Sequence, residues 1–75
     1  MAAPISVIRV YPVLTTKHLG ISVGDALFSD NQTIRFHTLS KSPPAVRLLS
    51  DRPMPEHERA LVAWLEEQQH PPAAA

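Results

Sequence analysis

PMPEHERALVAWLEEQQH, Pro53 to His70, is the stretch whose reading decides the fold. At helical periodicity Met54, Leu61, Val62, Trp64 and Leu65 gather on one side, and Arg59, Ala63, Glu66 and Glu67 fall opposite. Pro55 suits the first helical position, where its missing N–H would have no intrahelical partner. Glu56 and Glu58 put negative charge at the positive end of the helix dipole, and Pro71 and Pro72 stop the helix. The spacing therefore predicts one short amphipathic helix with the single Trp on its apolar side. Such a helix needs a surface to cover.

The preceding residues supply one. Ile5 to Leu14, rich in Ile and Val, reads as a first strand. Strict alternation sends Ile8, Val10 and Leu14 one way and Val7, Arg9, Tyr11 and Val13 the other. Pro12 cannot donate to a ladder, which marks an edge or the end of pairing. Leu19 to Phe28 and Thr33 to Leu39 read as a hairpin about Ser29-Asp30-Asn31-Gln32. Symmetric pairing about that turn puts Leu27 opposite Ile34 and Asp25 opposite Phe36. Ile21, Val23, Leu27, Ile34 and Phe36 then share the core face. Asp25 is a misfit there, relieved by a bulge at Gly24-Asp25 or by a helical turn over GDALF. SKSPP, Ser40 to Pro44, reads as loop or polyproline, and Ala45 to Leu49 as a fourth strand or an extended segment.

The expected fold is α+β: a small three- or four-stranded antiparallel sheet with one C-terminal amphipathic helix packed on one face. Residues 1–70 form a single domain, and 71–75 a disordered tail. Leu61, Trp64 and Leu65 should meet Ile8, Val10, Ile21, Val23, Ile34 and Phe36, so that Trp64→Ala unfolds the domain. With 75 residues and no Cys, one compact layer of sheet against helix must suffice. A domain this small buries only about 60% of the surface its unfolded chain exposes.

Residues 1–13, MAAPISVIRVYPV, have no basic segment before the apolar run, and Arg9 interrupts that run early. They match neither a secretory signal nor a membrane span. A cytoplasmic setting is the expectation. Formal net charge is +0, but its halves differ. Up to Ser50, five cations face two carboxylates; from Asp51 onward, two cations face five carboxylates.

Chemistry-bearing patterns are sparse. His18, His37, His57 and His70 include no pair at i, i+4 and no HxH, so no metal is expected. No hydroxyl sits in a glycine-rich elbow, and Gly20 and Gly24 alone cannot build a phosphate cradle. Neither an enzyme nor a cofactor is expected. Nucleic-acid binding by the basic sheet face is the alternative reading, since IRFHTL mixes Arg, Phe and His on one strand. However, Phe36 is assigned to the core, whereas a stacking platform needs exposed aromatics. Apolar surplus favours protein binding: Val7, Tyr11, Val13, Phe28 and Leu39 exceed what one sheet face and one helix can hide. The candidate partner-binding residues are Arg9, Tyr11, Arg35, His37 and Lys41.

Taken together, ISVIRVYPVLTT at one end and RALVAWLEEQQ at the other resemble the small host-takeover proteins of lytic bacteriophages. The likeness is greatest to regulators that bind bacterial RNA polymerase and shut off host transcription. That resemblance implies a non-enzymatic inhibitor acting in the host cytoplasm by contact with a polymerase subunit.

Overall fold

The computed structural model describes residues 4–69. Four strands, β1 (Val7–Thr16), β2 (Gly20–Phe28), β3 (Thr33–Lys41) and β4 (Pro44–Leu48), precede one helix, α1 (Pro55–Gln69). The strands form a single antiparallel sheet in the order β1-β2-β3-β4, with α1 packed on its inner face. The chain is a small α+β fold, with β1 and Pro12 at a sheet edge as the missing donor requires. Pro71, Pro72 and the tail 71–75 lie outside the described residues.

The β2–β3 hairpin departs from the symmetric register by one residue. Asn31 N–H bonds the Phe28 carbonyl, Phe28 N–H bonds the Gln32 carbonyl, and Asn31 has φ 71°. Ser29-Asp30-Asn31 is thus a three-residue loop ending in a left-handed residue, a conformation Asn tolerates. One fewer residue in the loop shifts the pairing, so Leu27 stands opposite Thr33, Ala26 opposite Ile34, Asp25 opposite Arg35 and Gly24 opposite Phe36. A one-residue slip turns a strand over. Gly24, Ala26 and Phe28 therefore face inward, while Val23, Asp25 and Leu27 face outward. Asp25 is no misfit: it needs neither a bulge at Gly24-Asp25 nor a helical turn, and β2 runs unbroken to Phe28.

The strand irregularities lie elsewhere. In β1, Ile8 is an extra residue between Val7 and Arg9, and Val13 another between Pro12 and Leu14. Each bulge resets the alternation. Val7 and Val10 both pack on the core, while Ile8 stands 60% exposed. In β2 the extra residue is Ser22; buried Thr38 donates from Oγ1 to the neighbouring Ile21 carbonyl at 2.6 Å. β3 continues through Ser40 to Lys41, and Ser42-Pro43 alone turns the chain into β4.

Ala26, Phe28, Ile34, Phe36, Val46 and Leu61 form the buried core, with Trp64 and Leu65 partly buried around it. Helix α1 begins at Pro55 with Glu58 N–H bonding the Met54 carbonyl, the expected start. Its apolar side includes one residue that hydropathy overlooks. His57 is buried, its ring edge-on to Phe28 at 4.8 Å and its Nε2–H donating to Asp30 Oδ2 at 2.8 Å. This bond fastens the first turn of the helix to the hairpin loop.

Candidate functional site

The outer face of the sheet is a lattice whose rows follow from the strand register. Arg9, Leu27 and Thr33 form one row. Tyr11, Asp25 and Arg35 form the next, extended by Leu49, whose N–H bonds the Arg35 carbonyl. Leu14, Val23, His37 and Arg47 form the third. Of the five candidate residues, Arg9, Tyr11, Arg35 and His37 share this face. Lys41 does not join them. Leu39 is an extra residue between Thr38 and Ser40, and beyond that bulge Lys41 pairs with Pro44. Its carbonyl accepts from Gln69 Nε2 at 2.6 Å, which places it beside the end of α1.

A bidentate ion pair occupies the middle row. Arg35 Nε lies 2.9 Å from Asp25 Oδ1, and Arg35 Nη2 3.1 Å from Oδ2. The hydrogen bonds from Arg35 hold the Asp25 carboxyl below its ordinary range, and the same contact raises Arg35. Arg9 extends over the Tyr11 ring, its guanidinium carbon 5.8 Å from the centroid, within cation–π range. Three arginines, Arg9, Arg35 and Arg47, thus share the face with one carboxylate. Sequence reasoning missed Arg47 and Asp25. The alternation Val46-in, Arg47-out could have found the first, whereas the second required the true hairpin register.

Exposed apolar side chains collect here too. The large hydrophobic residues left most exposed are Ile8, Tyr11, Val13, Leu14, Leu39 and Leu49, all between 47% and 61%. Tyr11, Leu14 and Leu49 stand in the outer rows, and Ile8, Val13 and Leu39 are the extra residues of three bulges. Bulges re-aim side chains. Here the phase change in β1 turns Ile8 and Leu14, which strict alternation sends with Val10, to solvent; Val13 and Leu39 are outward by alternation already. Two residues expected in this surplus, Val7 and Phe28, belong to the core side. Three others expected in the core lie outside it: Val23 and Leu27 in outer rows, and Ile8.

Elsewhere the constellations are thinner. Among the described residues no three His, Asp or Glu side chains are grouped to hold a metal ion. An open groove of ≈ 400 Å³ runs between β4 and the start of α1, lined by Arg47, Asp51, Arg52, Met54 and Glu58 among others. Those residues contain no nucleophile paired with a base. Phe28 and Phe36 are fully buried, which leaves Tyr11 as the outer face's lone Phe, Tyr or Trp ring. No helix among the described residues is long and apolar enough to cross a membrane. Comparison of the chain with protein-family models, with curated proteins and with solved structures gives no match.

Proposed function

We propose that the protein is a non-enzymatic docking domain that grips another protein with the outer face of its sheet. One observation carries this reading. The six most exposed large apolar residues lie on that face or along its β1 margin, and the bulges of β1 place Ile8 and Leu14 there against strict alternation. Side chains that contribute nothing to the core, rimmed by arginines, have the composition of an interface centre and its polar rim. The resemblance to phage regulators makes bacterial RNA polymerase in the cytoplasm the partner we propose. The nucleic-acid alternative is weaker, because a single exposed aromatic offers little stacking surface and Asp25 neutralises Arg35.

The test uses purified bacterial RNA polymerase in a binding and promoter-directed transcription assay. The parent protein should bind and inhibit. A double variant, Ile8→Ser with Leu39→Ser, should lose both effects while its stability changes by less than about 0.5 kcal/mol per site, the range for exposed positions. Absence of binding by the parent, or full retention in the variant, would overturn the proposal. An electrophoretic shift of nucleic acid by the protein alone, falling steeply with salt, would move the assignment to the alternative.

A further inference from the structure

We infer that the partner element fitted by the outer face is a single acidic amphipathic helix. This rests on the docking reading above and names what docks. Three features of the face narrow the choice.

The first is charge. Arg9, Arg35 and Arg47 outnumber Asp25, and His37 stands beside Arg47 across the β3–β4 ladder. Two copies packed face to face would bring the same arginines together, and like-charge juxtaposition suppresses wrong partners. The solvent side of α1 in a second copy carries glutamates, namely Glu56, Glu58, Glu66 and Glu67. Its apolar stripe, however, is already spent on its own core. Neither surface of a second copy offers carboxylates and apolar groups together. The partner must bring both.

The second is the sheet edge. Adding a strand to β1 would require a regular row of backbone donors and acceptors. Pro12 has no donor, and the bulges at Ile8 and Val13 break the row on either side of it. Such devices blunt an edge against strand addition. Contact along β1 is thereby directed onto the face, and the opposite edge, β4, lies against α1.

The third is size. Four strands about 4.8 Å apart give a face roughly 14 Å across. One helix with its side chains, about 10–12 Å in diameter, covers that width. The inner face already follows this solution, since the 15 residues of α1 cover it alone. Leu14, Val23, Leu27 and Leu49 offer apolar ground for a helix stripe, and Arg9 and Arg47, which unlike Arg35 have no carboxylate partner among the described residues, stand ready for carboxylates flanking it.

The experiment titrates the isotope-labelled protein with two stapled helical peptides of about 18 residues, long enough to span roughly 27 Å. Both carry the same Leu/Ile stripe; one is flanked by Glu and the other by Lys. The Glu peptide should shift the amides of Tyr11, Val23, Arg35 and His37 and leave the Trp64 indole unmoved. Its affinity should fall tenfold or more in Arg9→Ala/Arg47→Ala, the loss typical of removing charge partners at an interface. Equal affinity for the Lys peptide, shifts confined to Trp64 and α1, or no binding of the Glu peptide by about 1 mM would overturn the inference. Dimerisation through the outer face, seen by sedimentation, would do the same. If polymerase contact is lost in Ile8→Ser/Leu39→Ser while the peptide arms fail, the helix inference falls and docking stands. Failure of both removes the docking reading as well.

Discussion

Substituting alanine for Gly24 tests the hairpin register directly, because the two possible registers predict opposite signs. Gly24 is buried on the inner face opposite Phe36, and an added Cβ would lie 3.1 Å from Cε1 and Cζ of that ring and 3.2 Å from Ile21 Cγ2. Carbon atoms rest comfortably at about 3.5–4.0 Å. The Phe36 ring would have to retreat by roughly half an ångström, yet it is fully buried and has no open side to move into. Overpacking of this kind costs about 1–3 kcal/mol. Against it stands the restricted unfolded chain of alanine, which stabilises by about 0.4–1 kcal/mol where the backbone suits an L residue. The clash outweighs the entropy, for a net loss of about 1–2 kcal/mol. For a domain of this size that corresponds to a fall of roughly 5–15 °C in melting temperature. Urea denaturation followed by far-UV circular dichroism would measure it, and Phe36→Leu in the Gly24→Ala background should recover part of the loss through coupling. A Gly24→Ala protein as stable as its parent would refute the packing. It would put Gly24 on the open side, with Leu27 opposite Ile34.

Leu61→Ala removes the one fully buried aliphatic side chain that α1 contributes to the core, and should cost about 2–5 kcal/mol in the same denaturation assay. Set against a total of roughly 4–11 kcal/mol for a chain of this length, the loss leaves the domain near its unfolding threshold. Trp64→Ala, at a partly buried position beside Ile5 and Val7, gives a second measure of how α1 is held. Asp30 and Asp25 carry the acid response. The hydrogen bond from His57, then those from Gln32, hold Asp30 below the ordinary carboxylate range, as Arg35 holds Asp25. A depressed carboxyl stabilises the fold above its unfolded value, about 3.9, and that contribution disappears as pH falls through the folded value. Urea midpoints should therefore drop below about pH 4, and the drop should be smaller in Asp30→Asn.

Much of the architecture was legible without coordinates. Helical spacing from Met54 to Leu65 located α1, and Pro55 located its first turn. Ile/Val-rich runs located the strands, and the inward alternation of Ile34 and Phe36 was read correctly. These are local properties, set by side-chain period and by the backbone limits of proline. His57 was equally legible in position, three residues after Met54 and four before Leu61. Its polarity hid it, because hydropathy cannot anticipate that a loop carboxylate will satisfy a buried ring.

What the chain determined by itself was the set of elements: three or four extended runs followed by one amphipathic helix. Which side of each strand faces the helix was decided only in three dimensions. Asn31 in a left-handed conformation shortens the β2–β3 loop by one residue and turns β2 over, bringing Asp25 out to Arg35 and Gly24 under Phe36. The bulges at Ile8 and Val13 then turn Ile8 and Leu14 outward against strict alternation, and the bulge at Leu39 turns Lys41 away from Arg35 and His37. The physical reason is the period of two along a strand. A single inserted or omitted residue, trivial in sequence, exchanges core for surface, so the composition of the outer face emerges only when the strands are paired.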